Sequence, residues 1–492
     1  MDITWMGILI LISIVIYSTW DTFYRKRNLP PGPTPLPLIG TLLHIRRGKM
    51  VTSLMKLWSQ YGSVYTLYFG SRPVVVLCGY EVMKEALIDQ GEVFGARGNI
   101  PILEKFFQGY GISLSNGERW KVIRTFAVKT LKSFGFGKKS IESKIQTEAQ
   151  CIVEEFRNSN GQLLDPNRNI MVAFSNVLCS VIFGDRFEYK NEKFIKFLKI
   201  VEETFYLASS TWGQLQSILP TIMEFVPGPH QRIIPIAKEL EDFIHERIKA
   251  SKETLEPSSP RHFIDSFLIK MEEEKNNPNT EFNLKNLLRT THNLFVAGIE
   301  TVSTTLRYGL LILLKYPEIQ AKIHKEIDQV IGQDRPPNYE HRIEMHYTQA
   351  VMQEIHRFCD IVPLNLPHLV TRDVHFQGYQ IPEGTEIYPL LCTVHRDPKQ
   401  FSSPWKFDPN RFLDESGKFK KNEAVMPFSV GKRICPGEVL ARMELFIFLT
   451  TILQNFKLTS MTQFTESDIA PKMAGFLNTP IDYELSFLPR EI

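Results

Sequence analysis

Apolar residues recur at helical spacing over most of this chain. The periodicity predicts helices at 140–158, 170–183, 193–207 and 235–250, a long one through 293–305 that continues to about Tyr316, and another at 438–456. Strand-like stretches are few. Residues 64–69 and 73–78 read as a strand pair around Gly70 and Ser71, followed by a helix at 81–90. Further on, 375–380 and 385–389 are expected to flank Pro382, Glu383 and Gly384 as a hairpin. The polar stretches 251–260 and 272–280 read as surface loops, and there is no internal repeat. The pattern predicts a mainly α protein with a small β region packed against the helical mass.

The N-terminus follows a different pattern. Residues 3–20 are almost wholly apolar, close to the ~20 residues that span a bilayer core, and Arg25, Lys26 and Arg27 follow. This predicts a membrane anchor whose downstream side is cytosolic. A secretory signal would carry its basic residues ahead of the apolar run and end at a small-residue cleavage site, and neither is present. Residues 21–38 are basic and then rich in proline. Pro30, Pro31, Pro33, Pro35 and Pro37 fix φ and remove donors, which makes this stretch a stiff hinge to a body at 39–492.

Composition narrows the picture. A chain of 492 residues would ordinarily suggest about three domains, yet no Pro/Gly/Ser linker or shift in composition separates them, so one large body is expected. The formal charge is only +3 with no dense basic tract, and nothing points to nucleic acid. The six cysteines, Cys78, Cys151, Cys179, Cys359, Cys392 and Cys435, form no CxxC pair, which fits a reducing compartment and argues against zinc.

Candidate chemistry sits in two places. Gly431 and the pair Pro436 and Gly437 set Cys435 in a bend just before the last long helix. A helix entrance and the charge of Arg433 favour a thiolate, and such a sulfur can ligate haem iron. The plainer alternative is a small buried hydrophobe beside a turn. Inside the long helix, Gly298 costs about 1 kcal/mol relative to alanine, which suggests close approach of a flat ligand. Glu300 and Thr301 follow it. A hydroxyl with ordered water can relay protons from a carboxylate, whereas a helical threonine often merely bonds back to its own helix. Glu354 and Arg357, three apart on a predicted helix, share one face.

Phe428, Gly431, Arg433, Cys435 and Gly437 fill the pattern FxxGxRxCxG, which resembles the haem-binding signature of the cytochromes P-450. Ala297, Gly298, Glu300 and Thr301 match that family's AGxET segment, Glu354 and Arg357 its ExxR, and Arg411 and Phe412 its PxRF. The proline-rich hinge resembles that of its microsomal members, and the likeness covers nearly the whole chain. It implies the P-450 fold preceded by one transmembrane helix in the endoplasmic reticulum membrane, with the catalytic body on the cytosolic side. Haem b would be held by Cys435 as axial ligand, with Phe428 and Gly298 beside it and Arg433, Arg124, Trp120, Arg97 and His368 at its propionates. Thr301 and Glu300 would deliver protons, and Glu354, Arg357 and Arg411 would brace the cysteine loop.

The same resemblance implies an apolar substrate pocket drawn from Ile102, Phe106, Phe107, Phe205, Leu215, Phe295, Ala297, Val302, Val362, Phe476 and Leu477. The reaction implied is insertion of one atom of dioxygen into a small lipophilic molecule: a xenobiotic, fatty acid or steroid. The chain carries no flavin domain or dinucleotide fingerprint, so electrons are expected from outside, and the resemblance implies that they come from NADPH through the cytochrome P-450 reductase, in some members with cytochrome b5. Lys432 and Arg442 are the docking candidates. A reductase-independent haem-thiolate isomerase and a non-enzymatic haem sensor are the other readings. Ile299, Asn293 and Asn410 depart from the residues common in relatives; the first two bear on pocket shape and water access.

Overall fold

The computed structural model describes residues 3–25, 29–470 and 475–490. Lys26 and Arg27 of the expected hinge lie outside them. The Asn283 side chain accepts the Asn286 N–H at 3.0 Å and so caps the helix Leu284–Lys315, 32 residues long, around which the other helices are arranged. It is buried on nearly every side, as a helix at the centre of a large core must be. Asn167–Ile182, Ile233–Glu253, His346–Cys359 and Glu438–Asn455 pack against it. The last begins where the sequence predicts and ends one residue earlier.

Gly298 belongs to one of these crossings. A Cβ there would lie 2.7 Å from Cδ1 of Leu178 on Asn167–Ile182. The glycine therefore admits a neighbouring helix.

A five-stranded sheet flanks the helices in the order Val64–Phe69, Arg72–Leu77, Glu386–Pro389, His368–Leu369, Ala96–Arg97. The first pair is the predicted one, antiparallel, with Val64 opposite Leu77. The helix predicted at 81–90 is shorter, Tyr80–Lys84, and continues as the wider turn Glu85–Asp89.

The predicted hairpin also needs correction. Val374–Phe376 pairs with Tyr379–Ile381 around Gln377 and Gly378, whose φ values of 50° and 82° suit a two-residue turn. Pro382, Glu383 and Gly384 instead lead the chain out to Glu386–Pro389, which pairs in parallel with Arg72–Leu77.

The chain opens with the helix Ile3–Arg25 of 23 residues, on which Trp5, Leu11, Ile16 and Trp20 are exposed. Its described side chains run only from Trp5 to Asp21, and among the described residues no helix is long and apolar enough to cross a membrane.

Candidate functional site

The segment before Glu438–Asn455 bends sharply. Ser429 and Gly431 take positive φ, 59° and 73°, and a Cβ on Gly431 would overlap the Leu87 carbonyl oxygen, so only glycine fits. The Cys435 N–H closes the bend on the Phe428 carbonyl at 2.9 Å. Of the six cysteines, all free, Cys435 alone is exposed. Although one side of the sulfur is accessible, the protein packed around it raises the thiol pKa, and Glu438 adds to this, against the Gly437 and Glu438 N–H groups and Arg124. The helix entrance does favour the thiolate, but crowding by protein outweighs it. Phe428 packs beside the His356 ring at 5.4 Å and under Arg442 at 4.9 Å.

On the long helix, exposed Ala297 and half-buried Thr301 interrupt a buried run. The Thr301 hydroxyl donates to the Ala297 carbonyl at 2.8 Å, the back-bond that a helical threonine favours. Glu300 is turned into the core. Its Oε1 accepts from Thr304 Oγ1 at 3.2 Å and its Oε2 has no partner among the described residues. Burial, then the charge of Glu202, push its carboxyl up to about 7 despite Arg307 and Thr304. Acid and alcohol are thus adjacent in sequence but lie on different sides of the helix. Ile299 is fully buried, and Asn293 Oδ1 accepts the Ile112 and Ser113 N–H groups at 2.9 and 3.2 Å, so neither departure is free to shape an open surface.

Beside the cysteine loop a cationic cluster forms from four separate segments. Arg433 stacks on Trp120, donates through Nε to the Gly95 carbonyl at 2.8 Å, and through Nη2 to the Ser115 carbonyl at 3.0 Å and to Asn116 Oδ1 at 2.8 Å. Arg97 Nη1 meets His368 Nε2 at 2.6 Å, while His368 Nδ1 donates to the Phe94 carbonyl at 2.6 Å. Arg124 donates to the Ile434 carbonyl. Burial and the charge of Arg124 bring Arg97 down to about 9. Burial, then Arg97 and Arg124, bring Arg433 down to about 8. Three guanidinium groups therefore crowd together, and their acceptors are carbonyl and amide oxygens and the His368 ring nitrogen, none of them charged. Among the described residues, Trp120 Nε1 and Arg433 Nη1 remain buried without a partner. Such donors fit a ligand carrying carboxylates, as the two propionates of haem do. Sequence reasoning missed Asn116, which joins Arg97 to Arg433 by accepting the Arg97 N–H at 2.7 Å. An asparagine before a helix carries no signal for that contact.

Behind the loop, Glu354 binds both expected guanidinium groups. Arg357 donates to Oε2 at 2.6 Å and to Oε1 at 2.7 Å, and Arg411 to Oε1 at 3.2 Å. Arg357 also reaches the His395 and Pro404 carbonyls at 2.8 and 2.7 Å. His395, missed in the sequence, completes the connection: its Nδ1 meets Asp360 Oδ1 at 2.8 Å and its Nε2 accepts the Met426 N–H at 3.1 Å, two residues before Phe428. Asn410 bonds to Asp408 at the surface, outside this network.

The expected pocket residues divide into two groups. Ile102, Phe106 and Phe107 share an apolar cluster with Leu207, Ile236 and Ala237; Phe476 packs on it and stacks with Phe205 at 6.3 Å. Phe295, enclosed by Phe183 and Phe197 at 5.1 and 5.5 Å, lies with Val302 and Leu477 in the main core, where Val362 packs at the margin. Leu215 is half-buried. Of the docking candidates, Lys432 pairs with Glu92, and Arg442 with Glu438 at 2.9 Å.

A helical body presenting one accessible cysteine next to a cationic cluster with unmet donors has the donor set of a haem-thiolate protein. The family model described as Cytochrome P450 matches residues 30–487. Cytochrome P450 2G1 of Rattus norvegicus is 52% identical over 482 residues, 98% of either chain. Cytochrome P450 2A4 of Mus musculus is 49% identical and cytochrome P450 2A6 of Homo sapiens 48%, each over 480 residues, 98% of this chain and 97% of theirs. This chain belongs to the cytochrome P450 family. It is a haem b monooxygenase that inserts one atom of dioxygen into small lipophilic substrates with electrons from NADPH delivered through a reductase.

Proposed function

We propose that Cys435 is the axial thiolate, that Arg97, Arg124, Arg433, Trp120 and His368 hold the propionates, and that Thr301 with Glu300 manages protons. Haem, when bound, supplies the oxidising chemistry. The chain supplies position and charge. Arg124 and the Gly437 and Glu438 N–H groups stabilise a sulfur anion at Cys435. Thr301 holds a hydroxyl on the accessible face, and Glu300, with its carboxyl pushed up to about 7, can exchange a proton near neutrality, passing it round the helix through water. Ile102, Phe106, Phe107, Phe205, Ala297 and Phe476 form an apolar enclosure that excludes water and orients a lipophilic molecule. Phe295, Val302, Val362 and Leu477 back it from the core.

Residues 3–20 anchor the chain in the endoplasmic reticulum membrane, 21–38 act as hinge, and 39–492 form the cytosolic catalytic domain. The reductase, and cytochrome b5 where it takes part, dock on the face carrying Lys432 and Arg442.

The observation that supports this most is the pair of buried, unmet donors on Trp120 and Arg433 beside the one exposed cysteine. The test is Cys435→Ser. The reduced carbon monoxide complex of the wild type should show a thiolate spectrum and the variant should lose it; an unaltered spectrum removes Cys435 from the iron.

A further inference from the structure

Early in the long helix, one face grips the segment that covers the apolar cluster. Asn286 Oδ1 accepts the Gly111 N–H at 3.2 Å, and one turn of helix and more away Asn293 holds Ile112 and Ser113. Between these two clamps lie Arg289 and His292, three apart and therefore on one side of the helix. They make no comparable bond. Among the described residues, both ring nitrogens of His292 and the Nε of Arg289 are buried without a hydrogen-bond partner, and the residues are 5% and 9% exposed. Arg289 Nη1 does lie 2.9 Å from Glu241 Oε2, an ion pair outside hydrogen-bond alignment that balances the charge. Their surroundings are aromatic: the His292 ring is 5.0 Å from Phe106 and 5.3 Å from Phe107, and the Arg289 guanidinium sits 4.0 Å over Phe106. Buried polar atoms normally find partners, and three unmet ones at a single aromatic wall, the two His292 ring nitrogens and Arg289 Nε, call for a ligand atom.

We infer that Arg289 and His292 form a polar anchor in the substrate pocket that takes the carbonyl or hydroxyl oxygen of a lipophilic substrate and so fixes which carbon is presented for oxidation. This rests on the reading that Ile102, Phe106 and Phe107 line that pocket. Burial, then the charge of Arg289, push His292 down to about 3, so near neutrality the ring is uncharged and offers one donor and one acceptor. A neutral oxygen matches this better than a carboxylate, because Glu241 already balances Arg289.

The probes are 1-tetralone and tetralin, a bicyclic ketone and the hydrocarbon that lacks its oxygen. Each is titrated against the full-length haem-loaded protein, with haem absorbance as readout. His292→Phe, which keeps an aromatic ring, should weaken tetralone about tenfold and leave tetralin unchanged, and His292→Gln should recover part of the loss. Arg289→Met, judged by the same ratio, serves if the phenylalanine variant does not load haem. Ile102→Trp should weaken both probes. Should it affect neither, the pocket reading fails and the anchor with it. Should it weaken both while the tetralone-to-tetralin ratio stays within about twofold in the His292 and Arg289 variants, the anchor alone is overturned.

Discussion

The guanidinium of Arg433 lies over the indole of Trp120, with 3.8 Å between Cζ and the ring centroid, and each of the two side chains carries a buried N–H that no described residue accepts. The stack is itself stabilising, by about 0.5–2 kcal/mol for a partly desolvated pair. Trp120→Phe preserves the ring beneath Arg433 and removes only the indole donor. Haem should dissociate several-fold faster from this variant, as measured by transfer to an apo-globin acceptor; an unchanged rate would mean that the indole N–H serves no propionate.

Glu354→Ala should be far more damaging than a surface substitution. It leaves Arg357 and Arg411 without their carboxylate, and stranding a buried charge costs about 3–5 kcal/mol. Yield of holoprotein and the thermal midpoint are the measurements. A midpoint close to wild type would show that the carbonyls of His395, Pro404 and Lys406 suffice for Arg357.

Much of this was readable beforehand, and the failures have one cause. Val64–Phe69 and its partner, the long helix and the Glu354–Arg357 pair follow from local period or fixed spacing, while the reach of that pair to Arg411 follows from the family resemblance. The hairpin failed because Pro382 and Gly384 look more turn-like than Gln377 and Gly378, while the destination of Glu386–Pro389 is a strand some 300 residues earlier. The contact of Gly298 with Leu178 is hidden for the same reason, because Leu178 lies on another helix. His395 and Asn116 act through contacts that no short motif encodes.

Glu300 and Thr301 give separable signatures. The folded chain holds the Glu300 proton up to about pH 7, whereas an unfolded carboxyl releases it near its ordinary value of 4.5. Between these values the native state binds more protons, so stability should fall as pH rises through this window, by about 3 kcal/mol, and level off above it. Glu300→Gln should flatten that slope in thermal unfolding; an identical slope would assign it elsewhere. Thr301→Ala should leave haem content and stability near wild type but divert NADPH electrons to hydrogen peroxide, and unaltered coupling of NADPH to product would free Thr301 from the proton path.

Removing residues 1–27 should shift the protein from the membrane fraction to the soluble one with its haem retained. Loss of haem on truncation would make the first helix part of the core instead of an anchor.

The parallel pairing of Arg72–Leu77 with Glu386–Pro389 sets a timetable for biosynthesis. At roughly 5–20 residues per second, tens of seconds pass between emergence of the two strands from the ribosome. Throughout that interval Arg72–Leu77, with Val74, Val75, Val76 and Leu77 fully or almost fully buried in the finished protein, has one edge unsatisfied and open to pairing with other chains. Nascent chains of this enzyme therefore need protection from chaperones well before the cysteine loop has been translated.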